Sequence, residues 1–235
     1  MKKEDKLIII GAGKFAEVAY KYFTYDSPYE VVAFSVEKDY LDQKLLFDLP
    51  IVPFEDLEKL YDPEEHRAFV AVSYTDLNRL RTRLYREVKL KGFQLISYIS
   101  SNAYVWHNVK IGENCFILEN NVLKYHSVIG NNVIMMADNQ VEHNAMLDDN
   151  CFITANVTIS SFCEVGKNCF FEANSIIYDN LKIAKNCLIS AGALILRDTE
   201  EGKVYKGNPA KAIDENSLIS KNLQNNKYNH IREVL

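Results

Sequence analysis

The sequence predicts two unlike parts: a small α/β, Rossmann-like domain over residues 1–98, then an all-β parallel β-helix over residues 99–213. Three observations carry this. From Ala103 to Asp198 the chain repeats every six residues, with an apolar residue in third place of all sixteen hexads, from Val105 and Ile111 to Ile189 and Ile195. Asn fills the sixth place in eleven of the sixteen. Before residue 98, apolar strand-like runs alternate with helical stretches instead.

A period of six is neither that of a helix nor that of a simple strand, so each unit is a short strand plus a corner. Asn is the non-glycine residue that best tolerates the left-handed backbone of such a corner. Three units make an 18-residue triangular turn, and Asn114, Asn132, Asn150, Asn168 and Asn186 recur at that spacing. Successive turns would pair as parallel strands about 4.8 Å apart, so five of them make a prism roughly 24 Å long.

In the first part, Leu7–Ile10 reads as a buried strand that runs into Gly11-Ala12-Gly13-Lys14-Phe15-Ala16 and a helix through Phe23. Further strands are expected at Tyr29–Val36, Pro50–Pro53, Ala68–Val72 and Phe93–Ile99, with a short helix over Phe54–Tyr61. Thr75 is placed to cap a helix that shows Leu77, Leu80, Leu84 and Val88 on one face and stops at Gly92. The arginines of that helix (Arg79, Arg81, Arg83, Arg86) are expected on a solvated face, with a phosphate contact as the alternative. Alternating strands and helices imply a small parallel sheet covered on both faces.

Glycines in a strand–turn–helix context let backbone approach a phosphate, and the helix N-terminus offers free N–H groups. Gly11, Gly13 and Lys14 are therefore candidate substrate-binding residues, with Glu37, 24 positions past Gly13, a candidate to hold a ribose. A domain this short suits a nucleotide or nucleotide-sugar better than a dinucleotide. A purely structural glycine turn remains the alternative.

At 235 residues the chain has ample length for a core. A net charge of −5 and a pI near 5.6 argue against a nucleic-acid partner. No apolar run approaches the ~18 residues that would cross a membrane, and too few apolar residues follow the charged start for a signal peptide, so a cytoplasmic protein is expected. Cys115, Cys151, Cys169 and Cys187 fall at multiples of eighteen, with Val133 on the missing rung. Without a Cys-x-x-Cys pair they read as small apolar fillers rather than disulfides or metal ligands, and Cys163 lies off their column. From Asp214 the polar tail is expected to be a loose helix or disordered.

Folding the repeat at eighteen stacks His107, Tyr125, His143 and Ser161 along one prism edge, with His126 one place further on. Histidine's ordinary pKa of about 6.5 suits proton removal near neutrality. His143 has an acidic neighbour, Glu142, that could orient it; for His107 and His126 a surface position without a role is the simpler reading.

The glycine turn, the hexads, Val141-Glu142-His143-Asn144 and the closing Gly207-Asn208-Pro209-Ala210-Lys211 together resemble the sialic-acid O-acetyltransferase-like sugar acyltransferases, a group that includes N-acetyltransferases of nucleotide-linked 4-amino sugars. The resemblance implies a left-handed β-helix, a homotrimer and no metal. It also implies acetyl-CoA as co-substrate in the groove between prisms and a nucleotide-linked sugar on the N-terminal domain. It places the general base at His143, with Glu142 as its partner. An oxyanion-steadying N–H is implied near Ser161, and a CoA-binding segment at Gly207, Asn208, Pro209 and Lys211. The expected activity is N-acetylation of a nucleotide-linked 4-amino sugar for lipopolysaccharide or other bacterial surface glycan. O-acetylation of a sugar hydroxyl and a non-catalytic trimeric nucleotide-binding scaffold are the alternatives. Two positions depart from the pattern: Asn144 stands where an acid usually follows the histidine, and Phe152 where some members carry a second histidine. A zinc enzyme on this scaffold would want a His pair five residues apart, which the chain lacks.

Overall fold

The computed structural model describes residues 5–213, so the polar tail expected from Asp214 lies outside the described residues. The chain divides between Tyr98 and Ile99 into two compact units.

The first unit runs β1 (Asp5–Ile10), α1 (Lys14–Tyr25), β2 (Tyr29–Val36), β3 (Leu45–Leu46), β4 (Leu49–Pro53), α2 (Leu57–Leu60), β5 (His66–Val70), α3 (Arg79–Leu90) and β6 (Gln94–Leu95). Its sheet order is β3-β4-β2-β1-β5-β6. Every pairing is parallel except β3 with β4. β1 lies inside the sheet with both faces covered, which is why Leu7–Ile10 reads as an unbroken apolar run rather than an alternation. Ile8 and Ile10 pack with Leu84 and Val88 of α3, while Phe23 of α1 meets Phe69 of β5 edge-on at 5.0 Å.

Several local expectations need correction. α3 starts at Arg79, not beside Thr75, because Asp76, Leu77 and Asn78 all take left-handed backbone angles and Asn78 is its N-terminal cap. Arg81 is not solvated: it is fully buried, with its guanidinium donating to Ser73 O at 2.8 Å and Asn78 Oδ1 at 3.0 Å. The third strand is half of a hairpin, whose turn places Phe47 and Asp48 at positive φ without the Asn-Gly signal that usually marks it. Phe54–Tyr61 is a 3-10 turn at Phe54–Asp56 followed by the single turn of α2. β5 lies two residues earlier than expected, and Phe93–Ile99 is two short strands, not one.

In the second unit each of the sixteen hexads supplies one two-residue strand, ending on the apolar third-place residue. Strands pair in parallel with those eighteen residues away, as in Gln140↔Thr158 and Phe152↔Phe170, which stacks them into three sheets. This is a left-handed parallel β-helix. Third-place residues from Ile117 to Ile195 are all buried and fill its centre. Corners behave as the Asn pattern demands: fourteen of the sixteen sixth-place residues have positive φ. Asn114, Asn132 and Asn150 pass side-chain hydrogen bonds from coil to coil at 2.8 and 2.9 Å.

All five cysteines are buried and none is in a disulfide. They are more than filler. Each occupies the first place of its hexad and donates its thiol to a carbonyl fifteen residues on or nearby: Cys115 to Gly130 O at 3.1 Å, Cys169 to Ala184 O at 3.2 Å, and Cys163, off the column, to Tyr178 O at 3.0 Å. Burial pushes the Cys163 thiol up from its ordinary value.

Two residues report on what the corners cost. Phe162 sits at φ 59 where Asn is the rule, a conformation that costs a bulky residue about 1 kcal/mol or more. Phe162→Asn is expected to raise stability by about 1 kcal/mol, read as a higher urea midpoint of the β-helix transition. Asp149 accepts the Asn131 N–H at 2.8 Å and the Lys167 ammonium at 2.9 Å. Burial alone would push its carboxyl up, but these donors outweigh it and hold the group below the usual carboxylate range. A depressed carboxyl stabilises the fold above its unfolded-state value of about 4, and that contribution is lost as pH falls through the folded value. Asp149→Asn is therefore expected to cost about 1–2 kcal/mol at pH 7. The gap to wild type should narrow when the urea midpoints are compared near pH ~3.

Candidate functional site

Within the first unit, candidate residues collect at the carboxyl ends of β1, β2 and β5. Gly11 follows β1 with φ +119, and its N–H donates to Ser35 O at 2.7 Å. A Cβ at Gly11 would lie 2.8 Å from Ala71 O, so two chain segments pass too closely here for any side chain. Gly13 caps α1 at an ordinary φ of −80, so its backbone makes no special demand for glycine. Lys14, the first residue of α1, pairs with Glu17 at 2.8 Å across an exposed turn. Two buried side-chain atoms near this end, Ser35 Oγ and Asn78 Nδ2, have no hydrogen-bond partner. The close approach at Gly11 is to the protein's own backbone, which the purely structural reading of the glycine turn explains as well as a ligand would.

Glu37 follows β2, but its carboxylate is already engaged. Arg83 of α3 grips it with two N–H groups at 3.0 and 2.9 Å and reaches Glu87 as well. The Glu37 carboxylate in turn holds the Arg83 guanidinium more firmly cationic than usual. Sequence reasoning separated these two residues by 46 positions and left Arg83 in solvent. Only the folded structure, in which a side chain of α3 reaches the residue that follows β2, reveals the pair.

On the β-helix, Tyr125, His143 and Ser161 do occupy one corner, at successive coils. The backbone locks them there: Asn144 N–H donates to Tyr125 O and Phe162 N–H to His143 O, both at 3.0 Å. His143 is exposed at this corner. Glu142, its neighbour, turns to the coil below and gives both carboxylate oxygens to Lys124, at 2.6 and 2.8 Å. Lys124 carried no signal in the sequence beyond lying eighteen residues before Glu142. The amides around Ser161 are spent within the chain: Ser160 N–H goes to Ile177 O, Ser161 N–H to Asp179 Oδ1 at 2.9 Å, and Phe162 N–H to His143 O. Asn144 stands at the corner with φ 58. Phe152 is buried against Phe170, with ring centroids 5.6 Å apart. His107 lies against Trp106, and His126 meets Tyr125 edge-on at 4.2 Å.

The closing segment forms a hairpin, Val204–Lys206 against Lys211–Ile213, whose turn is Gly207–Ala210. It is tied to the last coil: Leu194 N–H donates to Gly207 O at 3.1 Å and Ala210 N–H to Leu194 O at 2.8 Å. The Asn208–Pro209 bond is cis, and Lys211 is exposed. Leu194 lies three coils above Gln140, which puts the hairpin about 14 Å along the axis from the His143 coil. Among the described residues no three His, Cys, Asp or Glu side chains converge as a metal site.

Solved structures share this architecture over nearly the whole chain. The acetyltransferase domain of PglB from Neisseria gonorrhoeae FA1090 matches with a TM-score of 0.80 at 25% identity, covering 89% of this chain and 100% of that one. This is the fold of the sugar acyltransferases that the sequence resembles. The same domain in complex with acetyl coenzyme A matches with a TM-score of 0.79 at 24% identity, over 89% of this chain and 100% of that one. A histidine-to-asparagine mutant of perosamine N-acetyltransferase from Caulobacter crescentus, in complex with CoA and GDP-perosamine, matches with a TM-score of 0.79 at 23% identity, over 89% of this chain and 97% of that one. No protein-family model matches the sequence, and no curated protein is similar to it.

The two glycines of the first unit separate on testing. Gly11→Ala is expected to cost about 2–4 kcal/mol through strain and overlap with Ala71 O, lowering the melting temperature of the first unit. Gly13→Ala should melt within about 0.5–1 kcal/mol of wild type.

Proposed function

We propose that the protein is an acetyl-CoA-dependent acyltransferase that N-acetylates a nucleotide-linked 4-amino sugar, with His143 as general base. The observation that carries this is the shared architecture, over 89% of the chain, with perosamine N-acetyltransferase in complex with CoA and GDP-perosamine and with an acetyltransferase domain in complex with acetyl coenzyme A. The exposed His143, fixed by backbone on a rigid corner, supports it.

The chemistry follows from the groups in place. The neutral amine of the sugar attacks the thioester carbonyl of acetyl-CoA, forming the C–N bond, while His143 takes the proton the amine sheds. Collapse of the tetrahedral adduct breaks the C–S bond, and the proton passes to the departing CoA sulfur. The turn at Gly11, Gly13 and Lys14 would receive the nucleotide phosphates, with Glu37 near the ribose as one half of its pair with Arg83. Gly207, Asn208, Pro209 and Lys211 would hold CoA, Lys211 through a phosphate.

Because the Ser160, Ser161 and Phe162 amides are spent, the oxyanion donor in this reading comes from elsewhere, and a homotrimer with the site between prisms would supply a second wall. A cytoplasmic enzyme serving lipopolysaccharide or other bacterial surface glycan completes the proposal. No helix among the described residues is long and apolar enough to cross a membrane.

Thiol release from acetyl-CoA, scanned over dTDP-, UDP- and GDP-linked 4-amino sugars and their hydroxyl counterparts, tests the reading. Turnover with an amino sugar is expected. Turnover with hydroxyl acceptors alone would mean O-acetylation, and silence without CoA binding would leave a scaffold. His143→Ala should lower turnover by about 10²–10⁴-fold while CoA still binds.

A further inference from the structure

The corner that carries His143 holds one acid and one lysine within a coil on either side. Glu142 precedes the histidine, Lys124 lies in the coil below, and the coil above offers Ser160, Ser161 and Phe162, none of them charged. The other titratable groups there are Tyr125 and His126 in the coil below; Asp179, two coils above Tyr125's neighbour His143, is tied to the Ser161 amide. Lys124 and Glu142 stand side by side because their strands are paired, Leu123 opposite Val141. The Lys124 ammonium meets both carboxylate oxygens, and the two side chains are only 33% and 19% exposed.

That contact matters because of what a bare carboxylate would do. Next to an imidazole it would favour the protonated ring, which cannot accept a proton. It would also attract the acceptor in its ammonium form, which cannot attack a thioester. We propose that Lys124 is a positioning residue for the transfer reaction: it ties Glu142 along the strand edge and so keeps the His143 imidazole neutral and free to take the acceptor's proton. Glu142 then shapes the corner through Lys124 instead of orienting the base directly.

The inference rests on the acyltransferase reading, yet its first test does not need turnover. In the full chain labelled at histidine Cε1, the His143 resonance (assigned with His143→Ala) is followed against pH. In Lys124→Met the midpoint should move up by about half to one pH unit, and in Lys124→Arg it should stay at the wild-type value. Glu142→Gln should move it down, and the double variant Lys124→Met/Glu142→Gln should return close to wild type. Coincident midpoints in wild type and Lys124→Met overturn the proposal; should that variant fail to fold, an unmoved midpoint in Glu142→Gln does the same.

The second test is thiol release from acetyl-CoA with a nucleotide-linked 4-amino sugar. Lys124→Met should lose several-fold below neutral pH and recover in alkali, with Lys124→Arg close to wild type. An equal loss at every pH, not restored by arginine, also overturns the proposal. Absence of thiol release in wild type would count against the acyltransferase reading, while the titration still decides whether Lys124 governs His143.

Discussion

Everything in the second unit depends on the left-handed corner. A residue at positive φ every six positions turns the chain through one side of a triangle, so each strand meets the one eighteen residues on in parallel register. The ladder of backbone hydrogen bonds satisfies the polar groups of strands only two residues long. Remove the corners and the strands have no partners. Asn is favoured there twice over: it accepts the conformation, and its amide side chain bonds the Asn of the next coil, as along Asn114, Asn132 and Asn150.

The same register builds the candidate site. A residue and its eighteen-distant neighbour must stand side by side, so a lysine at 124 and a glutamate at 142 are within reach of the ion pair they form. His143 is held by its own carbonyl and by the amide of Asn144, one bond to each neighbouring coil. The first unit works by the opposite logic. There, contacts at the carboxyl ends of strands come from tertiary packing, and Arg83 meets Glu37 across 46 residues of chain.

This difference explains what could be read in advance. The β-helix was legible down to individual strands because its periodicity is translational: apolar third places and Asn corners map directly onto structure. The stacking of Tyr125, His143 and Ser161 followed from arithmetic alone. Side-chain pairings did not. Glu142 could face His143 or Lys124 at equal sequence cost, and only geometry chose Lys124. In the first unit, Arg81 looked like one more solvated arginine, because the turn that buries it depends on three consecutive left-handed residues, and Leu77 among them is of a type that no propensity places there. The β3–β4 hairpin was missed for the same reason, with Phe47 and Asp48 in a turn that usually takes Asn and Gly.

The five buried thiols make the protein its own sensor of breathing. Each sulfur lies inside the stack and gives its hydrogen to a carbonyl of the coil. A reagent can reach it only when neighbouring coils part. The rate at which each cysteine is alkylated therefore measures the free energy of opening at its own level, from Cys115 near the start of the stack to Cys187 near its end. A solenoid whose coils touch only their neighbours can fray from its ends, and the native sequence already carries the labels that would record where the fraying stops.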